Sequence, residues 1–204
     1  VIHAGASGPH AYLLLEYLDP AREVRDYWED FGYRLAQLHR NTGDRFGLDH
    51  DNYIGSLHQP NAPRSSWADF FTEMRLEVQV RLARDQQRIS ASLTGRFDRL
   101  YLRLPSIFPA EPASLLHGDL WSGNFMTDDE GRACLIDPAV YYGHREMDLA
   151  MSKLFGGFHL SFYTAYLRAW PLEKGWQGRV DICNLYPLMV HVNLFGGSYV
   201  SSVE

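Results

Sequence analysis

Two short apolar runs that end in polar clusters constrain this chain more than anything else in it. The first, Leu115-Leu116, runs into His117-Gly118-Asp119-Leu120-Trp121-Ser122-Gly123-Asn124; the second, Cys134-Leu135-Ile136, runs into Asp137-Pro138. Apolar runs bounded by turn residues read as buried strands, so two carboxylates and a carboxamide arrive together at strand ends. That set suits phosphoryl transfer, where a hydroxyl must be oriented and deprotonated while the charge of the transferred group is neutralised. Asp119 is the candidate base. Asn124 and Asp137 offer the hard oxygen donors that Mg²⁺ accepts while leaving room for phosphate oxygens and water. The spacing from His117 to Asn124 follows H-x-D-L-x-x-x-N, with Asp137 where a second metal-binding Asp is expected.

Around this stretch the sequence is similar to a known family. Residues 117–124, together with Ile136-Asp137-Pro138-Ala139-Val140-Tyr141-Tyr142-Gly143-His144-Arg145-Glu146-Met147-Asp148-Leu149-Ala150, resemble the fructosamine (ketosamine) kinases. Asp51-Asn52-Tyr53-Ile54-Gly55-Ser56 and His191-Val192-Asn193-Leu194-Phe195-Gly196-Gly197-Ser198-Tyr199 carry the same resemblance, which runs from about residue 12 to the C-terminus. Many small-molecule kinases share the Asp and Asn of the loop; Trp121 and the other three stretches are the specific part.

The resemblance implies an α+β, protein-kinase-like fold: a mainly α-helical C-terminal lobe with a short hinge strand and a small catalytic β-hairpin. It implies ATP and Mg²⁺ as cofactors and transfer of the γ-phosphoryl to a ketosamine hydroxyl. The implied acceptor is the sugar 3-hydroxyl of an adduct on a glycated amine or protein, and decomposition of the product then frees the amine. Trp121 and His191 are implied to contact the ketosamine, and the flat indole face suits the apolar side of a sugar. His191 reads equally well as a satisfied histidine in a helix. Backbone groups at Glu16, Tyr17 and Leu18 are implied to meet the adenine edge, while His117 and Asp148 are expected to brace the catalytic loop. Two alternatives stay open, a kinase of the aminoglycoside or choline type and a non-catalytic lobe that holds a sugar amine.

One departure from the pattern matters. A protein-kinase-like enzyme covers its phosphates with a Gly-rich loop and places a Lys on a neighbouring strand. Val1 to Pro20 contain no such loop and no Lys. The expectation is therefore a remnant of the N-terminal lobe and hinge over residues 1–20, and a C-terminal catalytic lobe over 21–204, with catalysis weakened in a chain that lacks the phosphate-covering parts.

Composition adds exclusions. With 204 residues, 46% hydrophobic and 22% charged, the chain can fill one large core and is not of the disordered class. A formal charge of -6 argues against nucleic-acid partners, which need basic patches. No run approaches the ~20 apolar residues of a membrane span, so cytoplasmic residence is expected. Cys134 and Cys183 read as reduced thiols rather than a disulfide.

Along the chain, Tyr12 to Leu18 reads as a buried strand ended by Asp19-Pro20. Val24, Trp28, Phe31, Leu35 and Leu38 predict a helix from Ala21 to Arg40, halted by Asn41-Thr42-Gly43. Residues 47–63 read as a loop that either walls the substrate site or packs Tyr53 and Ile54 structurally. Ser65 or Ser66 is expected to cap a helix whose stripe is Trp67, Phe70, Phe71, Met74, Val78 and Leu82. Leu93, Phe97, Leu100 and Leu104 predict another helix, closed by Pro105. Residues 125–136 read as a hairpin whose Asp128-Asp129-Glu130 turn owes its acids to turn chemistry rather than to a cation. Helices follow at 146–155, 160–170 and 178–201, the last with Pro187 and Gly196-Gly197 expected to kink or interrupt it.

Overall fold

A computed structural model describes residues 1–204. The chain opens with a hairpin of β1 (His3–Ser7) and β2 (His10–Leu14), then enters α1 (Tyr27–His39) and β3 (Thr42–Gly43). β4 (Asn52–Ile54) and β5 (Leu57–Gln59) make a second hairpin, and α2 (Trp67–Phe70) continues through a π-helical turn at Phe71–Leu76 into α3 (Glu77–Asp85). α4 (Ala91–Tyr101) and α5 (Leu104–Ile107) lead to β6 (Ala113–Leu116), β7 (Phe125–Thr127), β8 (Ala133–Leu135) and β9 (Tyr141–Gly143). The remainder is helical: α6 (Glu146–Leu154), α7 (Leu160–Ala169), α8 (Val180–Phe195) and α9 (Val200–Val203). No helix is long and apolar enough to cross a membrane.

β6 is the middle strand of an antiparallel sheet in the order β3-β6-β9, pairing Ser114 with Thr42 and Leu116 with Tyr141. Its C-terminal end launches the His117–Asn124 stretch, which lies between two apolar cores. Leu116 belongs to the larger core, with Phe70, Leu76, Phe97 and Met189; Leu120 belongs to the smaller one, with Phe31, Leu35, Phe162 and Tyr166. Each fully buried leucine contributes about 2 kcal/mol. Two anchors on either side of Asp119 thus hold the loop between separately packed walls.

The smaller core depends on close approach of α1 and α7. Gly32 makes this possible, since a Cβ there would lie 2.1 Å from the Phe162 carbonyl oxygen. Glu29 and Asp30 occupy the first turn of α1, where negative charge complements the helix dipole.

Several expectations need correction. The Tyr12–Leu18 strand stops at Leu14, and it is exposed rather than buried, with Leu13, Leu14 and Leu15 at 57%, 51% and 53% exposure. A two-stranded hairpin has no second layer to cover either face. The helix expected from Ala21 begins only at Tyr27. Ala21 N–H instead donates to the Asp128 carbonyl at 3.0 Å and Val24 N–H to the Gly131 carbonyl at 3.1 Å, so the segment lies along the β7–β8 hairpin. Pro105 does not close α4. It stands in the first turn of α5, where a missing N–H costs nothing. The 47–63 loop contains the β4–β5 hairpin, and of Tyr53 and Ile54 only Ile54 is buried.

The most instructive correction concerns the stripe of α2 and α3. Ser66 caps as expected, its Oγ accepting Asp69 N–H at 3.1 Å, and Trp67, Phe70 and Phe71 are buried. Within and past the π-turn the buried positions become Arg75, Leu76, Gln79, Val80 and Ala83, while Met74, Val78 and Leu82 are only half-buried. A π-turn inserts residues into the α-helical ladder and rotates everything after it, a change of phase that 3.6-residue counting does not register. α8, by contrast, runs unbroken through Pro187 and ends at Gly196.

Candidate active site

Asp148, 1% exposed, organises the loop from beneath. Its Oδ2 accepts the His117 N–H at 2.8 Å and a bond from His39 Nε2 at 3.1 Å; its Oδ1 accepts the Gly118 N–H at 2.9 Å. Burial alone would push this carboxyl up, but the bond from His39, the closeness of the His39 and His117 rings and the Gly118 amide outweigh it and hold the group below the usual carboxylate value. Because His39 donates through Nε2, its Nδ1 accepts the Tyr166 hydroxyl at 2.8 Å.

His117 ties the loop to the strand end that carries Asp137. Its Nε2 donates to the Ile136 carbonyl at 2.9 Å, leaving Nδ1 to accept the Asp119 N–H at 3.3 Å. The His117 carbonyl accepts Ala139 N–H at 2.9 Å. No zinc-type role is needed to account for this imidazole. Gly118 has φ +84°, and a Cβ on it would meet the Ala139 carbonyl oxygen at 2.0 Å. Gly118→Ala is therefore expected to cost at least ~2 kcal/mol of stability and to cut turnover severely, because relief of the clash moves Asp119. Urea denaturation and turnover measured on the same preparation check both.

Asn124 clamps Asp119. Its Nδ2 donates to Asp119 Oδ2 at 2.8 Å and to the Asp119 carbonyl at 2.9 Å, so both amide hydrogens are used and the side-chain oxygen remains a free donor atom. Ile136 N–H donates to the Asn124 carbonyl at 3.0 Å, and the β7–β8 hairpin thereby sets Asn124 against Asp137. The turn acids serve the hairpin, with Asp128 Oδ1 accepting the N–H groups of Glu130 and Arg132. Asp137 is exposed and sits at φ +49°, a left-handed conformation that Asp tolerates at a cost of about 1 kcal/mol and that is typical of functional positions.

The Asp119 carboxyl is pushed above its ordinary value, chiefly by burial and in small part by Asp137, against the bond from Asn124 and the nearby His117 and His191. As the candidate base, Asp119 must be deprotonated to act, so the acid limb of kcat/KM is expected to lie above the normal Asp range. A pH profile checks this, and a limb at or below the ordinary value contradicts it.

A cleft of 160 Å³ brings Asp119, Trp121 and His191 together and is also lined by Ile54, Gly55 and Phe195. The His191 Nδ1 donates to the Pro187 carbonyl at 2.7 Å, which leaves Nε2 for the cleft. Glu16, Tyr17 and Leu18 lie outside this cleft, on an irregular segment from 15 to 20 that makes no backbone hydrogen bond. A larger groove of 760 Å³ between α1 and α7 contains none of the candidate residues.

The profile of the fructosamine kinase family matches residues 1–204. The chain belongs to this family. It is 44% identical over 202 residues to a protein of Enterococcus faecium described as a ketoamine kinase, covering 98% of this chain and 72% of that one. It is 40% identical to the chloroplastic protein-ribulosamine 3-kinase of Arabidopsis thaliana, covering 94% and 59% of the two chains. Among solved structures, a Thermobifida fusca protein described as a fructosamine-3-kinase superposes with a TM-score of 0.87 at 37% identity, covering 92% of this chain and 66% of that chain. The fold is accordingly protein-kinase-like, and the family is one of kinases.

Sequence reasoning missed two supports of this fructosamine kinase family site. One is the His39–Tyr166 pair beneath Asp148. The other holds the cleft wall: Asn52 Nδ2 donates to the Val140 carbonyl at 2.8 Å, and its Oδ1 accepts from Gln59 at 2.8 Å and Asn61 at 2.9 Å. The Tyr186 hydroxyl donates to Gln59 Oε1 at 2.6 Å and Arg75 donates to Asn61 Oδ1 at 2.7 Å. Arg75 is fully buried with no carboxylate beside it; its charge is held by the Pro60 and Met74 carbonyls and the Tyr141 ring, 3.9 Å away. The 51–55 motif therefore serves both readings, Asn52 as a structural hub and Ile54-Gly55 as cleft wall. The motif itself was the only available signal.

Proposed function

We propose that this chain is the catalytic lobe of a ketosamine kinase that transfers the γ-phosphoryl of ATP to the 3-hydroxyl of a ketosamine, leading to deglycation. The observation that carries this reading is the convergence of Asp119, clamped by Asn124, with Trp121 and His191 in one small cleft. Asp119 orients the acceptor hydroxyl and takes its proton, and its raised affinity for protons makes it a better base than an exposed Asp. The ketose lays its apolar face on Trp121 and offers a hydroxyl to His191 Nε2. The names of the relatives, which specify ketoamine and ribulosamine 3-kinases, support the acceptor class and the 3-position.

The free Asn124 oxygen and the exposed Asp137 carboxylate fit Mg²⁺, a hard ion content with one or two protein donors and otherwise phosphate and water oxygens. When bound, the ion neutralises charge on the transferred phosphoryl. Residues 1–20 are read as the remnant of a small lobe and hinge, and 21–204 as the catalytic lobe. The unpaired backbone at Glu16, Tyr17 and Leu18 supports its assignment to the adenine edge.

ADP release from Mg-ATP tests the reading against fructoselysine, ribuloselysine, an aminoglycoside and choline. Turnover with the ketosamines and a product phosphorylated at the 3-hydroxyl by NMR is expected. Preference for the aminoglycoside or choline, or no turnover with any acceptor, overturns it.

A further inference from the structure

The cleft that contains Asp119 is small, 160 Å³, against roughly 300–1,000 Å³ for sites that enclose drug-sized ligands. It has room for a sugar ring but not for the alkyl chain of the amine to which a ketosamine is joined. That chain must leave across the rim.

The rim at His191 and Phe195, which line the cleft, is aromatic and built from two helix ends, with Phe155 and Tyr199 packed on His191 just outside the lining. Phe155 follows the last residue of α6, and Phe195 is the last residue of α8. Each is followed by a glycine pair, Gly156-Gly157 and Gly196-Gly197, around which a Cβ would meet nothing within 4 Å. Between them stands His191, with ring centroids 5.0 Å from Phe155, 5.4 Å from Phe195 and 5.0 Å from Tyr199. Trp121, which also lines the cleft, joins this group, 5.9 Å from Phe155. Phe195 is 66% exposed, so much of its ring is open to a ligand that extends from the cleft.

Both components of the rim favour a cation. Aromatic faces attract ammonium groups through their quadrupole, and the C-terminus of α6 adds partial negative charge, while at the end of α8 the Val192 carbonyl already accepts from Arg88 at 2.6 Å. The cation nearest in sequence, Lys153, is directed elsewhere, its Nζ 3.9 Å from the centre of the Tyr163 ring. Asp119 is the only carboxylate that lines the cleft, and it is engaged with Asn124 and the hydroxyl.

We infer that Phe155, His191, Phe195 and Tyr199 form an alkylammonium subsite, which holds the secondary ammonium of the acceptor and the first carbons of its amine chain. The inference rests on the ketosamine reading above and adds to it a basis for selecting amine-linked sugars. A ketose joined through a neutral atom lacks the charge that the rim attracts.

The test uses two acceptors with the same ketose and alkyl chain, one joined through a secondary ammonium and one through an ether oxygen. KM for each is measured in the wild type and in Phe195→Leu, which keeps apolar area and removes the π face, and again in Tyr199→Leu. The wild type is expected to prefer the ammonium acceptor by about tenfold, and the variants to narrow that ratio to a few-fold or less. No preference in the wild type, or a ratio unchanged in both variants, overturns the subsite. Calorimetric binding of the same two acceptors is read in parallel. Absence of phosphoryl transfer to either defeats the functional reading, while the ammonium preference in binding and its loss in Phe195→Leu still decide the subsite.

Discussion

Asp119→Asn is expected to lower kcat by about 10³-fold with little change in the KM of either substrate. The substituted amide keeps the volume and can still meet Asn124, now at 2.8 Å from Asp119 Oδ2, but it cannot take a proton from the acceptor. Stability should move the other way. Burial raises the Asp119 pKa in the folded state, so the charged form opposes folding at neutral pH, and loss of that charge leaves the melting temperature unchanged or higher. A variant that is inactive but no less stable is the signature of a group held for chemistry. Retained turnover would remove Asp119 as the base, and a large drop in Tm would mark it as structural.

Asp148→Asn should instead be a stability variant, with a loss of about 3 kcal/mol measured by urea denaturation. The native carboxylate accepts three bonds, from His117 N–H, Gly118 N–H and His39 Nε2. An amide offers one acceptor oxygen and one NH₂ group, which would face N–H donors with a donor, in a site 1% exposed. The wild-type pH dependence follows from the same contacts. The Asp148 pKa is lower folded than unfolded, so its stabilisation is complete above the ordinary Asp value of about 4 and is lost as pH falls through the lower folded value. Asp148→Asn should lack this acid-side contribution. Activity would fall with stability because His117 and Gly118 lose the anchor that sets the loop beneath Asp119.

These two carboxylates differ in how visible they are before folding. Asp119, Asn124 and Asp137 stand within one local pattern, two strands and a tight hairpin, whose geometry follows from alternation and turn residues over fewer than twenty-five positions. Their proximity is legible because the chain between them has little freedom. The Ser66 cap, the α4 stripe at Leu93 and Phe97 and the presence of helices at α6 and α7 are legible for the same reason, as is the brace made by His117 two residues before Asp119.

Other features depend on groups brought from far away. His39 reaches Asp148 across 109 residues and Tyr166 across 127, and nothing around His39 distinguishes it from any histidine near a helix end. Arg75 carries no local mark of burial; the π-turn that rotates it inward is stabilised by the Tyr141 and Tyr186 rings and by Asn61, all supplied by other elements. The apolar Tyr12–Leu15 run looks like core until the topology leaves it in a hairpin with no covering layer. Phe155 and Phe195 likewise read as ordinary helix-end residues, and become a rim only because α6 and α8 pack with their C-termini together around His191. Short-range stereochemistry thus accounts for the meeting of Asp119, Asn124 and Asp137. Its burial, its charge balance and the mouth of its cleft come from long-range packing, whose energy is shared among residues that no local pattern connects.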